Sequence, residues 1–137
     1  MKKGHVVKAI AFDVGGVIVE HSNFLTKYFQ EASAFAHLPQ DSLEEHFYMN
    51  VPDLEKGEQS IADIWEDLVH DENKSKYLSR LFLQVYELNI QQNTRVLQLI
   101  KKLSEEYTVG CISNLGAEQK TINEKIGLYD NFSKVII

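Results

Sequence analysis

Short, nearly continuous apolar runs alternate in this chain with longer stretches where apolar residues recur every three or four positions. The first run, HVVKAIAFDV at 5–14, is rich in β-branched residues and closed by Gly15-Gly16, the pattern of a strand buried on both faces in a parallel sheet. From 24 to 36, Leu25, Tyr28, Phe29, Ala32, Phe35 and Ala36 follow helical spacing, and Pro39 closes the segment. DSLEEHFYMN at 41–50 predicts a weaker helix, ended by Pro52 and a turn through LEKGEQS. Ser60 with Asp63 forms a capping-box pattern ahead of the stripe Ile61, Ile64, Trp65 and Leu68. Tyr77, Leu78, Leu81, Phe82 and Val85 mark one more helix, so the pattern over 24–89 is helical throughout.

The rhythm then changes. TRVLQLIKKLSEEY at 94–107 carries Val96, Leu99, Ile100, Leu103 and Tyr107 on one helix face and runs into a second apolar strand, YTVGCISN, ending at Ser113-Asn114. A shorter helix over 116–126 turns Ile122 and Ile126 inward, Gly127 is placed as its cap, and FSKVII predicts a third buried strand. Strand, helical insert, helix, strand, helix, strand implies right-handed crossovers and a parallel α/β sheet. The core is expected at 1–20 and 90–137, with the insert at 21–89.

Composition narrows the function. At 137 residues and 44% hydrophobic content the chain has room for one core-forming domain with a small insert. Fourteen Lys+Arg against 20 Asp+Glu give a net charge of -6 with no basic cluster, which argues against nucleic acid as a partner. No run reaches the ~18 apolar residues of a membrane span, so the sequence reads as soluble and cytoplasmic. A single cysteine, Cys111, excludes an internal disulfide and a multi-cysteine metal site, and its apolar surroundings read as a buried structural thiol.

The chemistry-bearing residues sit at strand ends. In an open parallel sheet, ligands bind beyond the carboxyl ends of the strands, where loops direct side chains and free N–H groups to one point. Asp13 and Ser113 both end apolar runs there, and a carboxylate facing a hydroxyl beside glycine-rich backbone suits a nucleophile opposite an anion cradle. Taken separately, Asp13 could equally cap a turn, and Ser113-Asn114 could cap the following helix.

Together they resemble a known family. IAFDVGGVIV at 10–19 is similar to the first motif of the haloacid dehalogenase-like (HAD) hydrolase superfamily, and CISN at 111–114 is similar to its second. The helical block between them resembles the cap of the phosphatase and dehalogenase branches, so the resemblance covers essentially the whole chain. It implies a Rossmann-like parallel sheet, incomplete here, with an inserted α-helical cap, and a hydrolase of small phosphorylated metabolites. Asp13 would attack phosphorus and become an aspartyl-phosphate. The same carboxylate and the backbone carbonyl of Gly15 would bind Mg²⁺. The Ser113 hydroxyl, with backbone N–H groups near Gly16 and Asn114, would hold the phosphoryl oxygens. The physics agrees, because a carboxylate approaching an anionic phosphate needs a cation and aimed donors to offset the charge.

Two departures bear on activity. Gly15 stands where most phosphatases of the family carry a second aspartate that protonates the leaving group and activates water. A DxGxV subset shares this feature, as does the dehalogenase branch, which attacks carbon and uses no metal. A metal-free dehalogenase-like hydrolase and a non-catalytic protein with a binding or assembly role are therefore the rival readings. The family's lysine and distal acidic pair follow the strand that FSKVII resembles, while this sequence stops at Ile137. The expectation is an N-terminal portion of a longer hydrolase, weakly active or inactive alone, with an exposed sheet edge open to self-association. Among the other residues, His21 follows the first motif closely enough to enter the cleft. Phe24, Tyr28, Phe47, Tyr48 and Trp65 read as helix packing, and Glu55-Lys56-Gly57-Glu58 as a cap loop where substrate selection would occur.

Overall fold

The computed structural model describes residue 4 and residues 6–20 and 23–137; the candidate His21 lies outside them. The N-terminal half runs β1 (Ala9–Phe12), β2 (Val19–Glu20), α1 (Phe24–Ala36), α2 (Gln40–Lys56), α3 (Ile61–Val69) and α4 (Glu72–Asn89). It continues with β3 (Gln91–Gln92), α5 (Thr94–Leu103), β4 (Thr108–Ile112), α6 (Ala117–Lys125) and β5 (Lys134–Ile136). The three apolar runs pair in parallel in the order β1-β4-β5, with Phe12 opposite Cys111 and Cys111 opposite Val135. No described helix is long and apolar enough to cross a membrane.

Two units emerge. One holds the N-terminal strands with Gln91–Ser113 and Asn123–Ile137; the other holds the helical block up to Ile90 together with Asn114–Ile122. The inclusion of 114–122 differs from the expected core boundary at 90, and local contacts explain it. Gly116 lies 3.5 Å, measured from an added Cβ, from the Leu54 side chain, and the Glu118 carboxylate accepts a hydrogen bond from the Ile61 amide. Burial and the nearby Asp63 raise the Glu118 pKa above the ordinary carboxylate range despite that bond.

The sheet is thinner than its sequence suggests. β1 covers less of the first run than expected and is not buried on both faces: Ile10 and Phe12 are half-buried, while Ala9 and Ala11 are exposed. β4 shows the same alternation, with Val109 and Cys111 buried and Ile112 exposed. Two-sided burial needs a layer on each face, and among the described residues of β1 and β4 one face is the more covered. On α5 only Ile100 is fully buried; Leu99, expected on the inward face, is exposed. An element absent from the sequence reading is the antiparallel ribbon of β2 and β3, which pairs Val19 with Gln92 and Glu20 with Gln91. The chain departs for the helical block after β2 and resumes at β3, so the ribbon ties together the two ends of the insert.

The helical unit carries the larger hydrophobic cluster. Tyr28, Phe29, Ile64, Trp65, Leu78 and Phe82 are essentially inaccessible, at the spacings the sequence pattern marks. Pro52 does not end α2, contrary to expectation. A mid-helix proline removes one amide and costs about 3 kcal/mol. Burial of Leu43, Phe47 and Leu54 on both sides of it offsets that cost. The helix stops instead at Gly57, whose φ of 76° admits the left-handed cap, with the Gly57 and Glu58 amides donating to the Leu54 and Asp53 carbonyls.

The capping box at Ser60 is present in both directions: the Asp63 amide donates to Ser60 Oγ at 3.1 Å, and the Ser60 amide to Asp63 Oδ2 at 2.8 Å. Hydrogen bonds from the Ser60 amide and hydroxyl lower the Asp63 pKa below the ordinary carboxylate value. Because the folded state favours the ionised form, this stabilisation is present above about pH 4 and is lost as pH falls through the lowered pKa. Ser60→Ala is therefore expected to cost about 1 kcal/mol at neutral pH, and less in acid, in urea unfolding at pH values on either side of that range.

Candidate active site

Asp13 follows β1 directly and Ser113 follows β4 directly, so parallel pairing carries both residues, 100 positions apart in sequence, to the same carboxyl edge of the sheet. The pairing ends with Phe12 opposite Cys111, so Asp13 lies one residue beyond it on its strand and Ser113 two residues beyond it on the other. Asp13 is exposed, whereas Ser113 is nearly buried.

The loop after Asp13 is built by its apolar residues. Val14 and Ile18 are buried, and the Val14 carbonyl accepts from the amides of Val17, Ile18 and Val19 at 3.2, 3.1 and 3.0 Å. These anchors hold the turn while Asp13 and Gly15 stay exposed. The Val14 amide donates to Asp13 Oδ1 at 2.7 Å, and no described residue bonds the second carboxylate oxygen. The two glycines differ in role. Gly16 has φ 73°, in the left-handed region that favours glycine. Gly15 has no such φ, and a Cβ added there would meet nothing within 4 Å.

The amides near Gly16 and Ser113 differ in what they already bond. Gly16, expected beside the phosphate, already donates its amide to the Val19 carbonyl at 2.7 Å. The amide with no backbone acceptor among the described residues is that of Gly15. Ser113 spends its own amide on the Ile136 carbonyl at 3.0 Å, which leaves its hydroxyl as the group available to a ligand. Asn114, the next residue, belongs to the helical unit, and its amide likewise has no backbone acceptor among the described residues.

Cys111 is fully buried, and its thiol is pushed up to about 11, first by burial and then by the Asp13 carboxylate. A thiol so rarely ionised at neutral pH is a core group and not a nucleophile. The Gly15 carbonyl accepts no backbone bond from a described residue, so Asp13 and Gly15 offer two free oxygens. Among the described residues no cluster of three or more His, Cys, Asp or Glu side chains could hold a metal. Two oxygens fit Mg²⁺ in its water-rich mode, where one or two carboxylates, waters and substrate phosphate complete the shell.

The helical unit contains a cavity of about 260 Å³ whose walls include Phe24, Phe47, Tyr48 and Val51. Of the aromatics read as helix packing, Phe24, Phe47 and Tyr48 therefore also line space. Val51 and Gln119, which no motif singled out, share that lining.

No protein-family model matches the chain, and no curated protein matches it by sequence. Solved structures do. A HAD family enzyme of Bacteroides thetaiotaomicron, bt-2542, in complex with magnesium and inorganic phosphate, aligns with TM-score 0.66 at 19% identity over 96% of this chain and 69% of its own. The 2-haloacid dehalogenase of Pseudomonas syringae pv. Tomato DC3000 gives TM-score 0.64 at 18% identity over 96% and 64% of the respective chains. A haloacid dehalogenase-like family protein of Streptococcus pneumoniae, SP0104, gives 0.52 at 13% identity over 94% and 60%. The chain thus spans 60% to 69% of the length of these proteins. Likeness at such identities is likeness of fold, and on it this chain has the α/β fold of the haloacid dehalogenase-like hydrolases.

Proposed function

We propose that the chain serves a Mg²⁺-dependent phosphatase of small phosphorylated metabolites, located in the cytoplasm, with Asp13 as nucleophile. The observation that supports this reading is the exposed Asp13 carboxylate, one oxygen free, on the sheet edge that also carries Ser113. The magnesium and phosphate held by bt-2542, which has this fold, add support. Asp13 attacks phosphorus as the ester oxygen leaves, forming an aspartyl-phosphate that water then opens. The Ser113 hydroxyl and the free amides of Gly15 and Asn114 hold the phosphoryl oxygens. Mg²⁺, held by the Asp13 carboxylate and the Gly15 carbonyl, would offset charge on the transferring group.

Trapping tests the chemistry without requiring turnover. Trifluoroberyllate, a mimic of a carboxyl-bound phosphoryl group, is expected to attach at Asp13 only with Mg²⁺, read by fluorine NMR. Hydrolysis that survives chelation would instead favour the dehalogenase reading, in which Asp13 attacks carbon without a metal.

Gly15 explains why turnover should be slow. Glycine at that position cannot protonate the leaving group or activate water, help commonly worth about 10²–10⁴-fold. The backbone does not demand glycine there, and the space beside it is open. Gly15→Asp is therefore expected to fold normally and to raise kcat for an aryl phosphate by about 10²-fold. An unchanged or lower kcat in a folded variant would count against general acid-base chemistry at this position.

A further inference from the structure

β1 and β5 form the edges of the parallel sheet, and they differ in what they expose. In a parallel ladder, alternate residues turn both main-chain groups toward the neighbouring strand. The Lys8 carbonyl accepts from the Thr108 amide at 3.1 Å, so Lys8, Ile10 and Phe12 face β4. Ala9 and Ala11 turn theirs outward, where no described residue bonds them, and both residues are exposed. Edge strands are ordinarily guarded by charge, proline, a bulge or shortness. β5 is three residues long and begins at the exposed Lys134. β1, AIAF, has neither charge nor proline, and its register runs without a bulge. Its flanks are charged, with Lys8 before the strand and Asp13 after it.

We infer that the open edge of β1 pairs with the same edge of a second copy of this chain, antiparallel and centred on Ile10, so that two sheets join into one. This register sets Ala9 opposite the partner's Ala11, and each such pair exchanges both of its N–H···O bonds. The alanine side chains stand off the sheet plane and do not hold the strands apart. Charge selects the direction. Antiparallel pairing brings Lys8 of each copy to the Asp13 end of the other, whereas parallel pairing sets like beside like. The two-fold leaves only the guarded β5 edges outermost, so assembly stops at a dimer. A seam this short buries less than the about 800 Å² per partner of a standard interface, and the dimer is expected to form at about 10–100 µM.

Sedimentation velocity of the whole chain across that range reads the assembly, and a concentration-dependent dimer is expected. Ala9→Pro deletes an outward amide at the first position of the strand, where proline is tolerated and no bond to β4 is lost. It is expected to raise the dissociation constant about tenfold or more, with an unchanged circular dichroism spectrum. A mixture of Ala9→Cys and Ala11→Cys chains tests the register independently, since both positions are exposed and oppose one another across the seam. Opposed residues of a hydrogen-bonded pair lie about 5.5 Å apart between Cα atoms, within disulfide reach. Mild oxidation should therefore link the mixture as a mixed dimer and leave either variant alone unlinked, because like positions are not opposed. The cysteine mixture decides alone if Ala9→Pro does not fold. A chain that stays monomeric, a dimer unaffected in folded Ala9→Pro, or either cysteine variant linking to itself as readily as the mixture overturns the inference.

Discussion

Asp13→Asn is expected to abolish trifluoroberyllate trapping and to lower any phosphatase turnover by about 10³-fold or more, because an amide oxygen is a poor nucleophile toward phosphorus. The substitution is nearly isosteric. The bond that Asp13 Oδ1 accepts from the Val14 amide at 2.7 Å can pass to the asparagine carbonyl. The residue is exposed, so the change in stability should stay within about 0.5 kcal/mol. Chemistry and folding are thereby separated: circular dichroism melts of the variant should overlay those of the parent while trapping disappears. Trapping or turnover that survives in Asp13→Asn would exclude the nucleophilic role and favour a binding function for the fold.

The largest stability effect is expected in the helical unit. Trp65 is fully buried, stacked on Phe47 with centroids 6.0 Å apart and planes 18° apart, and near Tyr28 at 6.1 Å. Trp65→Ala removes that ring and leaves a cavity, at a cost of about 3–5 kcal/mol. Domains are commonly stable by about 5–15 kcal/mol, so a large share of the margin goes with one side chain. Far-ultraviolet circular dichroism should show loss of helix at lower temperature or urea. A shift below about 1 kcal/mol would mean that the cluster around Trp65 repacks freely.

Those two residues differ in how legible they were. Trp65 followed from periodicity, because a helix that buries one face writes its contacts into the sequence at intervals of three and four. For the same reason α1 and the Ser60 capping box were readable: their determinants are local. Asp13 was legible as the polar end of an apolar strand, and its pairing with the Ser113 strand followed from the right-handed crossover rule. Pro52 misled because the break it threatened was overridden by Leu43, Phe47 and Leu54, whose burial depends on partners distant in sequence.

What sequence alone determined is the class of the longer helices and of the three apolar strands, their parallel direction and the carboxylate at the end of the first, since each depends on local period, turn residues or chain connectivity. Tertiary structure alone decided three things. It paired β2 with β3, two residues each and too short to carry a period. It consumed the Gly16 amide and left that of Gly15 free, a consequence of how Val14 and Ile18 pull the loop into the core. And it left space beside Phe47, Tyr48 and Val51, because how closely helices approach is set by all the side chains between them, and no single helix's pattern records it.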